Sequence, residues 1–290
     1  MAISTPTPSS TIPRGPITAN INFTHPPPAG TTAYNYVDAP PAGQAQRNIE
    51  TNPQPVPITD IRGQESSYNL DRDAFQIIAS QPPSAEVLFE DDASIESNYY
   101  PEVEKLLLHH IPNSTRVVIF DHTVRRAGPN AKRSAVQYAH IDQTAYSTQK
   151  RVRRHIEDAD EAEALLHNRY RIVNVWRTLN AKPVEAMPLA FASSASLDQK
   201  DVIPVKHIYS TGYEGETAAI AHNPEQRWHY LSGMTGDERI LLECFDSEGL
   251  REGSGVEGGR VPHSAFEDPR TRADAEGRES IEVRALVFGP

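Results

Sequence analysis

His140-Ile141-Asp142 sets an imidazole and a carboxylate two residues apart. In a strand, residues two apart project from the same face. A ring nitrogen and a carboxylate oxygen would then converge on one point. These are two of the three ligands of a 2-His-1-carboxylate facial triad. Such a triad suits iron(II), because the positions on its opposite side stay open for oxygen and substrate. A lone His-x-Asp arises often by chance, so its weight depends on partners elsewhere in the chain. His263 lies in GGRVPHSAFEDP, a Gly/Pro-rich connection between two predicted strands, and is the candidate third ligand. Further on, Arg278-Glu279-Ser280 opens the last strong strand. Arg278 and Ser280 share a strand face, and a guanidinium fork beside a hydroxyl is a receptor for a carboxylate. Arg284 lies on the same face and is the substitute if the register differs.

Those residues need a rigid frame, and the pattern supplies one. RVVIFDHT, SAVQYAHI, RYRIVNVWRTL, VIPVKHIYS, RWHYLS, RILLECFDS and ESIEVRALVF read as strands, being β-branched or aromatic runs between turn residues. YYPEVEKLLLHH, from Tyr99, reads as a helix. Pro101 suits its first turn, Glu102 and Glu104 suit its positive end, and Val103, Leu106 and Leu107 share a face. His109 and His110 complement its C-terminus. Residues 144–168 read as a surface helix or helix pair, on which His155 and His167 are expected to be solvated. The strand-rich middle and C-terminal parts predict an antiparallel sandwich or small barrel with flanking helices. Within NVWR, Asn174 and Trp176 share one face and Arg177 takes the other. Trp176 is read as core, and Asn174 or Arg177 as a contact to cosubstrate or substrate. Among the other histidines, His229 is expected to pack or to line a pocket, and His122 is a weaker pocket candidate.

Composition narrows the function classes. The chain has 290 residues, is 38% hydrophobic and carries a formal charge of −11. That is enough for a real core, and it lacks the basic footprint that nucleic acid or an anionic membrane attracts. The single cysteine, Cys244, excludes an intrachain disulfide framework and a Cys-based zinc site, and it fits a cytoplasmic location. No basic start followed by an apolar run is seen, and no stretch approaches the roughly 18–20 apolar residues of a membrane span. Half of the 24 prolines lie within residues 1–60. This segment is read as a Pro-rich arm, partly extended over the body, with a flexible tail over residues 1–15. Residues 61–290 are read as one domain.

The order of strand-borne His-x-Asp, a long gap, one His and then Arg-x-Ser on the final strand resembles the iron(II)/2-oxoglutarate oxygenases. The gap from His263 to Arg278 is longer than usual there, and EDPRTRADAEG is read as a loop insertion. A closer resemblance covers most of the chain beyond residue 60. FQIIASQ, IESNYYPEVEKLLL, VVIFDHTVRR, AHIDQT, RYRIVNVWRTL, MPLAFASS, RWHYLSGMTGDERILLECFDS and RESIEVRALVF look like the fungal hydroxylase/desaturase family of secondary-metabolite clusters. The resemblance implies a mainly β protein with a double-stranded β-helix (jelly-roll, cupin-like) core and flanking helices. It implies Fe(2+) on His140, Asp142 and His263, O2, and 2-oxoglutarate as cosubstrate with its far carboxylate on Arg278 and Ser280. The reaction it implies is hydroxylation, desaturation or oxidative rearrangement of a small natural product, with a homodimer left open. Two alternatives stand beside it: an iron-dependent oxidase that does not use 2-oxoglutarate, and a non-catalytic metal-binding jelly-roll module.

Overall fold

The computed structural model describes residues 12–128, 131 and 133–290. Residues 1–11 of the expected flexible tail lie outside the described residues. Among those described, fourteen strands form two sheets. The larger runs in the order β1 (Ile17–His25), β3 (Glu50–Asp60), β11 (Trp228–Tyr230), β8 (Leu189–Ala192), β13 (His263–Ala265), β6 (His140–Ile141), β10 (Glu214–Ile220), β9 (Val202–Ile208) and β2 (Ala33–Tyr36). The smaller runs β4 (Phe75–Ile78), β12 (Arg239–Asp246), β7 (Tyr170–Thr178), β14 (Ser280–Phe288) and β5 (Arg116–Arg125). One apolar cluster ties the sheets together. Ile21, Phe23, Ile141, Ile220 and Trp228 of the larger sheet join Ile172, Phe245, Leu286 and Phe288 of the smaller. This is the mainly β, jelly-roll architecture with flanking helices that the sequence predicts.

Alternation along β7 and β14 explains where the helices go. Val173 and Val175, with Val283, Ala285 and Val287, turn away from the larger sheet and meet α2 (Asp92–Asn98) and α3 (Tyr100–His110). Val103, Leu106 and Leu107 on α3 are all buried in that contact. Burying each such side chain stabilises by about 1.5–3 kcal/mol. The charged stretch 144–168 is a helix pair, α4 (Ala145–His155) and α5 (Ala159–Leu166), broken where Asp158 caps the second helix through the Glu161 amide. His155 is not solvated. Its ring stacks on Phe120 of β5 at 5.3 Å.

Two features depart from simple pattern reading. SAVQYAHI forms a strand only at His140–Ile141. Upstream, the chain bonds to two different strands instead of following one: the Ala139 amide donates to Asn22 of β1, and the Val136 carbonyl accepts from Ala265 of β13. The second feature is β3, a strand that carries Pro53, Pro55 and Pro57. Alternate residues of a strand point their amides to the same side, so the three missing donors all fall on one side. The β1 ladder runs along the other side of β3, and the parallel partner β11 joins only at Ile58–Asp60, beyond the last proline. The prolines therefore leave no ladder bond unmade, and the arm enters the larger sheet as three strands, β1, β2 and β3.

Candidate active site

The β6–β13 ladder consists of one residue pair, His140 opposite His263. Directly opposed residues share a face, and the two rings lie 4.4 Å apart, tilted by 52°. On its other side His263 faces Phe191 of β8, which walls the site with apolar surface. The chain reaches His263 through Gly258 and Gly259, at φ +78° and +58°. A Cβ there would lie 2.5 Å from Ser194 Oγ and 2.7 Å from Asp246 Cβ, so neither position accepts a side chain without displacement.

Each imidazole is aimed by its own backbone. His140 Nδ1 lies 2.8 Å from the Tyr138 carbonyl, and His263 Nδ1 lies 3.2 Å from the Val261 carbonyl. A carbonyl only accepts, so Nδ1 of both rings carries the proton, and Nε2 is the atom each ring has left for a metal. Burial depresses the His263 pKa to about 4, with His140 acting in the same direction. At neutral pH this ring is uncharged, the form a metal needs.

Asp142 sits just past β6, in the short connection before Thr144 caps α4 in a reciprocal pair with Ser147. Its Oδ1 is 3.4 Å from His140 Nε2. Its Oδ2 accepts from Asn174 Nδ2 at 2.8 Å and from Arg284 Nε at 3.0 Å. Burial raises the Asp142 pKa, but Arg284, His140 and His263 together outweigh it and hold the carboxyl well below the usual range. One oxygen is thus fixed by protein donors and the other faces the histidines. His140, Asp142 and His263 each offer a ligand atom, all within 4.8 Å of one another. Two imidazoles and one carboxylate, closely grouped and aimed by surrounding bonds, fit a first-row divalent metal.

Arg278 and Ser280 lie just before and at the start of β14, both buried. The Arg278 guanidinium is stacked 5.4 Å from the Trp176 ring, and its Nη1 donates to the Met187 carbonyl at 2.8 Å. Met187 has φ +52°, an uncommon conformation for a bulky residue, and holds its carbonyl toward Arg278 in it. Arg278 Nε is buried without a partner. Burial and then nearby Arg125 pull the Arg278 pKa down to about 10, against Glu282. A buried cation with an idle donor fits a carboxylate ligand.

Arg284, the substitute for Arg278, is taken up elsewhere. Besides Asp142 it bonds Asp121 and Thr123, each at 3.0 Å, and Glu282. Asn174 joins the triad through Asp142. Arg177 does not: it lies on the other face of β7, its guanidinium 5.2 Å from the Phe89 ring and 5.6 Å from Tyr99, where α2 and α3 pack. Its position follows from the odd-even alternation of NVWR. His229 packs against Tyr68 and Phe75, opposite Phe191, which separates it from His263, and its pKa is lowered by burial to about 4. His122 bonds Tyr100 through Nδ1 at 2.8 Å and Asp92 through Nε2 at 3.2 Å. Sequence reasoning missed Tyr138, His207 and Glu282. Only Glu282 left a pattern that could have found it, a charged residue in phase with Arg278 and Arg284 on an otherwise apolar strand.

Comparison with known proteins gives a consistent picture. The family described as oxidoreductase/YMDC permease-like domain matches residues 21–288. Among the described residues no helix is long and apolar enough to cross a membrane. The hydroxylase/desaturase poxK of Penicillium oxalicum is 39% identical, over 94% of this chain and 87% of its own length. The Fe(II)/2-oxoglutarate-dependent dioxygenase nvfI of Aspergillus novofumigatus is 30% identical, over 91% of this chain and 94% of its own. Among solved structures, the iron and alpha-ketoglutarate-dependent endoperoxidase NvfI superimposes with a TM-score of 0.83 at 27% identity, covering 96% of this chain and 99% of that one.

Proposed function

The chain belongs to the fungal hydroxylase/desaturase family, and on that premise we propose that it is an iron(II)- and 2-oxoglutarate-dependent oxygenase. Its substrate is a small natural product of secondary metabolism, which it hydroxylates, desaturates or oxidatively rearranges. A cytoplasmic enzyme acting without nucleic acid or membrane belongs to the same reading, as does a homodimeric assembly. The observation that carries the proposal is the convergence of His140, Asp142 and His263 within 4.8 Å, with both Nδ1 atoms and Asp142 Oδ2 already bonded to the protein. The three side chains thus present one ligand atom each toward the others, as a metal centre requires.

Iron(II) with 2-oxoglutarate supplies the oxygen chemistry that removes hydrogen from an unactivated carbon. The chain's own residues supply position. Asn174 and Arg284 hold Asp142 ionised and turned toward the histidines. Arg278, braced by Met187 and Trp176, offers its idle Nε to the far carboxylate of the cosubstrate, with Ser280 on the same strand face. Phe191 and Trp176, both buried, keep water from the space between the sheets.

Anaerobic addition of Fe(II) and then 2-oxoglutarate to the purified chain tests this. A charge-transfer absorption band and slow, oxygen-dependent succinate release are the expected results. Oxygen consumption with no succinate would instead make the protein an iron-dependent oxidase that does not use 2-oxoglutarate. Absence of both band and turnover would leave a metal-binding module.

A further inference from the structure

A cavity of about 100 Å³ opens beside the triad, between the arm and the β10–β9–β2 end of the larger sheet. Register places its floor. Ala219 lies opposite His140, Thr217 opposite Val205, and Asn35 beside His207. Alternation puts Asn35, His207, Thr217 and Ala219 on the sheet face that carries His140. The cavity is therefore continuous in face with a metal-ligand candidate. Its other walls are Tyr138 and the arm residues Thr24, Arg47, Ile49, Glu50 and Thr51. The Tyr138 ring lies 4.9 Å from that of His140 and is 43% exposed, unusual for an aromatic side chain next to a buried site.

The lining has a definite chemistry. His207 Nε2 lies 2.8 Å from Thr217 Oγ1 and its Nδ1 3.4 Å from the Asn35 amide nitrogen. An amide nitrogen donates, so Nδ1 accepts and the Nε2 proton goes to Thr217. Both ring nitrogens are thus engaged, and His207 is a fixed wall. The lining carries one cation, Arg47, and one carboxylate, Glu50, and Arg47 is held in place by a bridge between its backbone and that of Asn35. Tyr138 offers a ring face, and Ile49, Val205 and Ala219 offer apolar surface. Ligand pockets that enclose a whole small molecule run to about 300–1,000 Å³. A space of this size takes about one ring.

We propose that this cavity is a substrate subsite, and that the N-terminal arm determines its specificity. It receives one end of the substrate: a compact ring bearing a hydrogen-bond acceptor, stacked on Tyr138 with the acceptor on Arg47. The proposal rests on the oxygenase reading, because it is the metal at the triad that gives an end bound here its meaning.

Fluorine NMR of the full chain tests it, with 4-fluorobenzoate as probe and fluorobenzene as the probe lacking an acceptor. The expected result is that Arg47→Ala weakens 4-fluorobenzoate about tenfold, the loss of one charge-assisted hydrogen bond, and leaves fluorobenzene unchanged. Tyr138→Ala weakens both. Circular dichroism confirms that each variant is folded. Mn(II), whose binding is followed by its own paramagnetic resonance, should further broaden the bound probe's line. Loss of 4-fluorobenzoate binding in Arg278→Ala but not in Arg47→Ala would place the probe on the other arginine and overturn the proposal. Bound Mn(II) without added broadening would overturn it as well. Failure of Mn(II) to bind, with the Arg47 and Tyr138 effects intact, would sink the metal reading and leave the subsite standing.

Discussion

His140 and His263 face each other across a one-pair ladder, and each donates its Nδ1 proton to the carbonyl two residues before it, of Tyr138 and Val261. The same local device thus orients both rings. It leaves both Nε2 atoms free of the backbone, and Asp142 Oδ1 arrives 3.4 Å from that of His140 from the β6–α4 connection. The centre is built on strands bonded to their neighbours, and little rearrangement is required for it to accept an ion.

Removal of any one ligand should therefore empty the site without unfolding the chain. His140→Ala, Asp142→Ala and His263→Ala are each expected to lose stoichiometric Fe(II), measured by metal analysis after anaerobic desalting. Melting should remain cooperative, because the apolar cluster between the sheets is untouched. Retention of full iron content in any of the three would remove that residue from the ligand set.

Asn174 and Arg284 act through Asp142. Replacing a group that orients a metal ligand typically costs about 10–100-fold in metal affinity. Asn174→Ala and Arg284→Lys are expected to fall in that range by competitive titration against a metal-sensitive dye. Arg284→Lys tests geometry: it keeps the charge but loses the fork that bonds Asp142, Asp121 and Thr123 together. Wild-type affinity in Arg284→Lys would show that charge alone sets the carboxylate.

Arg278 is expected to act on the cosubstrate and not on the metal. Arg278→Ala should bind Fe(II) as the wild type does, yet require at least about tenfold more 2-oxoglutarate to develop the charge-transfer band, as expected for the loss of a charge-assisted contact. An unchanged 2-oxoglutarate titration would transfer the role to another cation of the interior, with Arg125 the first to examine.

Much of this centre is legible in the sequence because its determinants are local. His140 and Asp142 share a strand face by spacing alone, and the same rule groups Arg278, Ser280 and Arg284 and turns Arg177 away from Asn174. What spacing cannot give is which strands become neighbours. The opposition of His140 to His263 depends on a ladder of one pair between segments more than a hundred residues apart. The division of labour between Arg278 and Arg284 is equally hidden, since both share one face and only the position of Asp142 separates them. The strands within the arm were hidden for another reason. Proline argues against a central strand, and β3 escapes that rule only because its three prolines turn toward an unpaired edge.

Away from the site, Glu243 predicts how stability depends on pH. It is fully buried on β12, and neither carboxylate oxygen has a hydrogen-bond partner. Arg171 Nε is 3.5 Å from it but also 3.3 Å from Asp246 Oδ2. Burial first, and then the Asp246 charge, push the Glu243 pKa well above its ordinary value of 4.5, against Arg171. The folded state therefore holds a proton that the unfolded chain releases near its ordinary pKa. The stabilisation this gives is complete below that ordinary value and is lost as pH rises through the folded-state value. Glu243→Gln keeps the shape and removes the titration. Its melting temperature relative to wild type should therefore climb from pH 5 toward pH 9. A difference that stays flat over that interval would show that Glu243 is ionised in the folded protein and neutralised by Arg171.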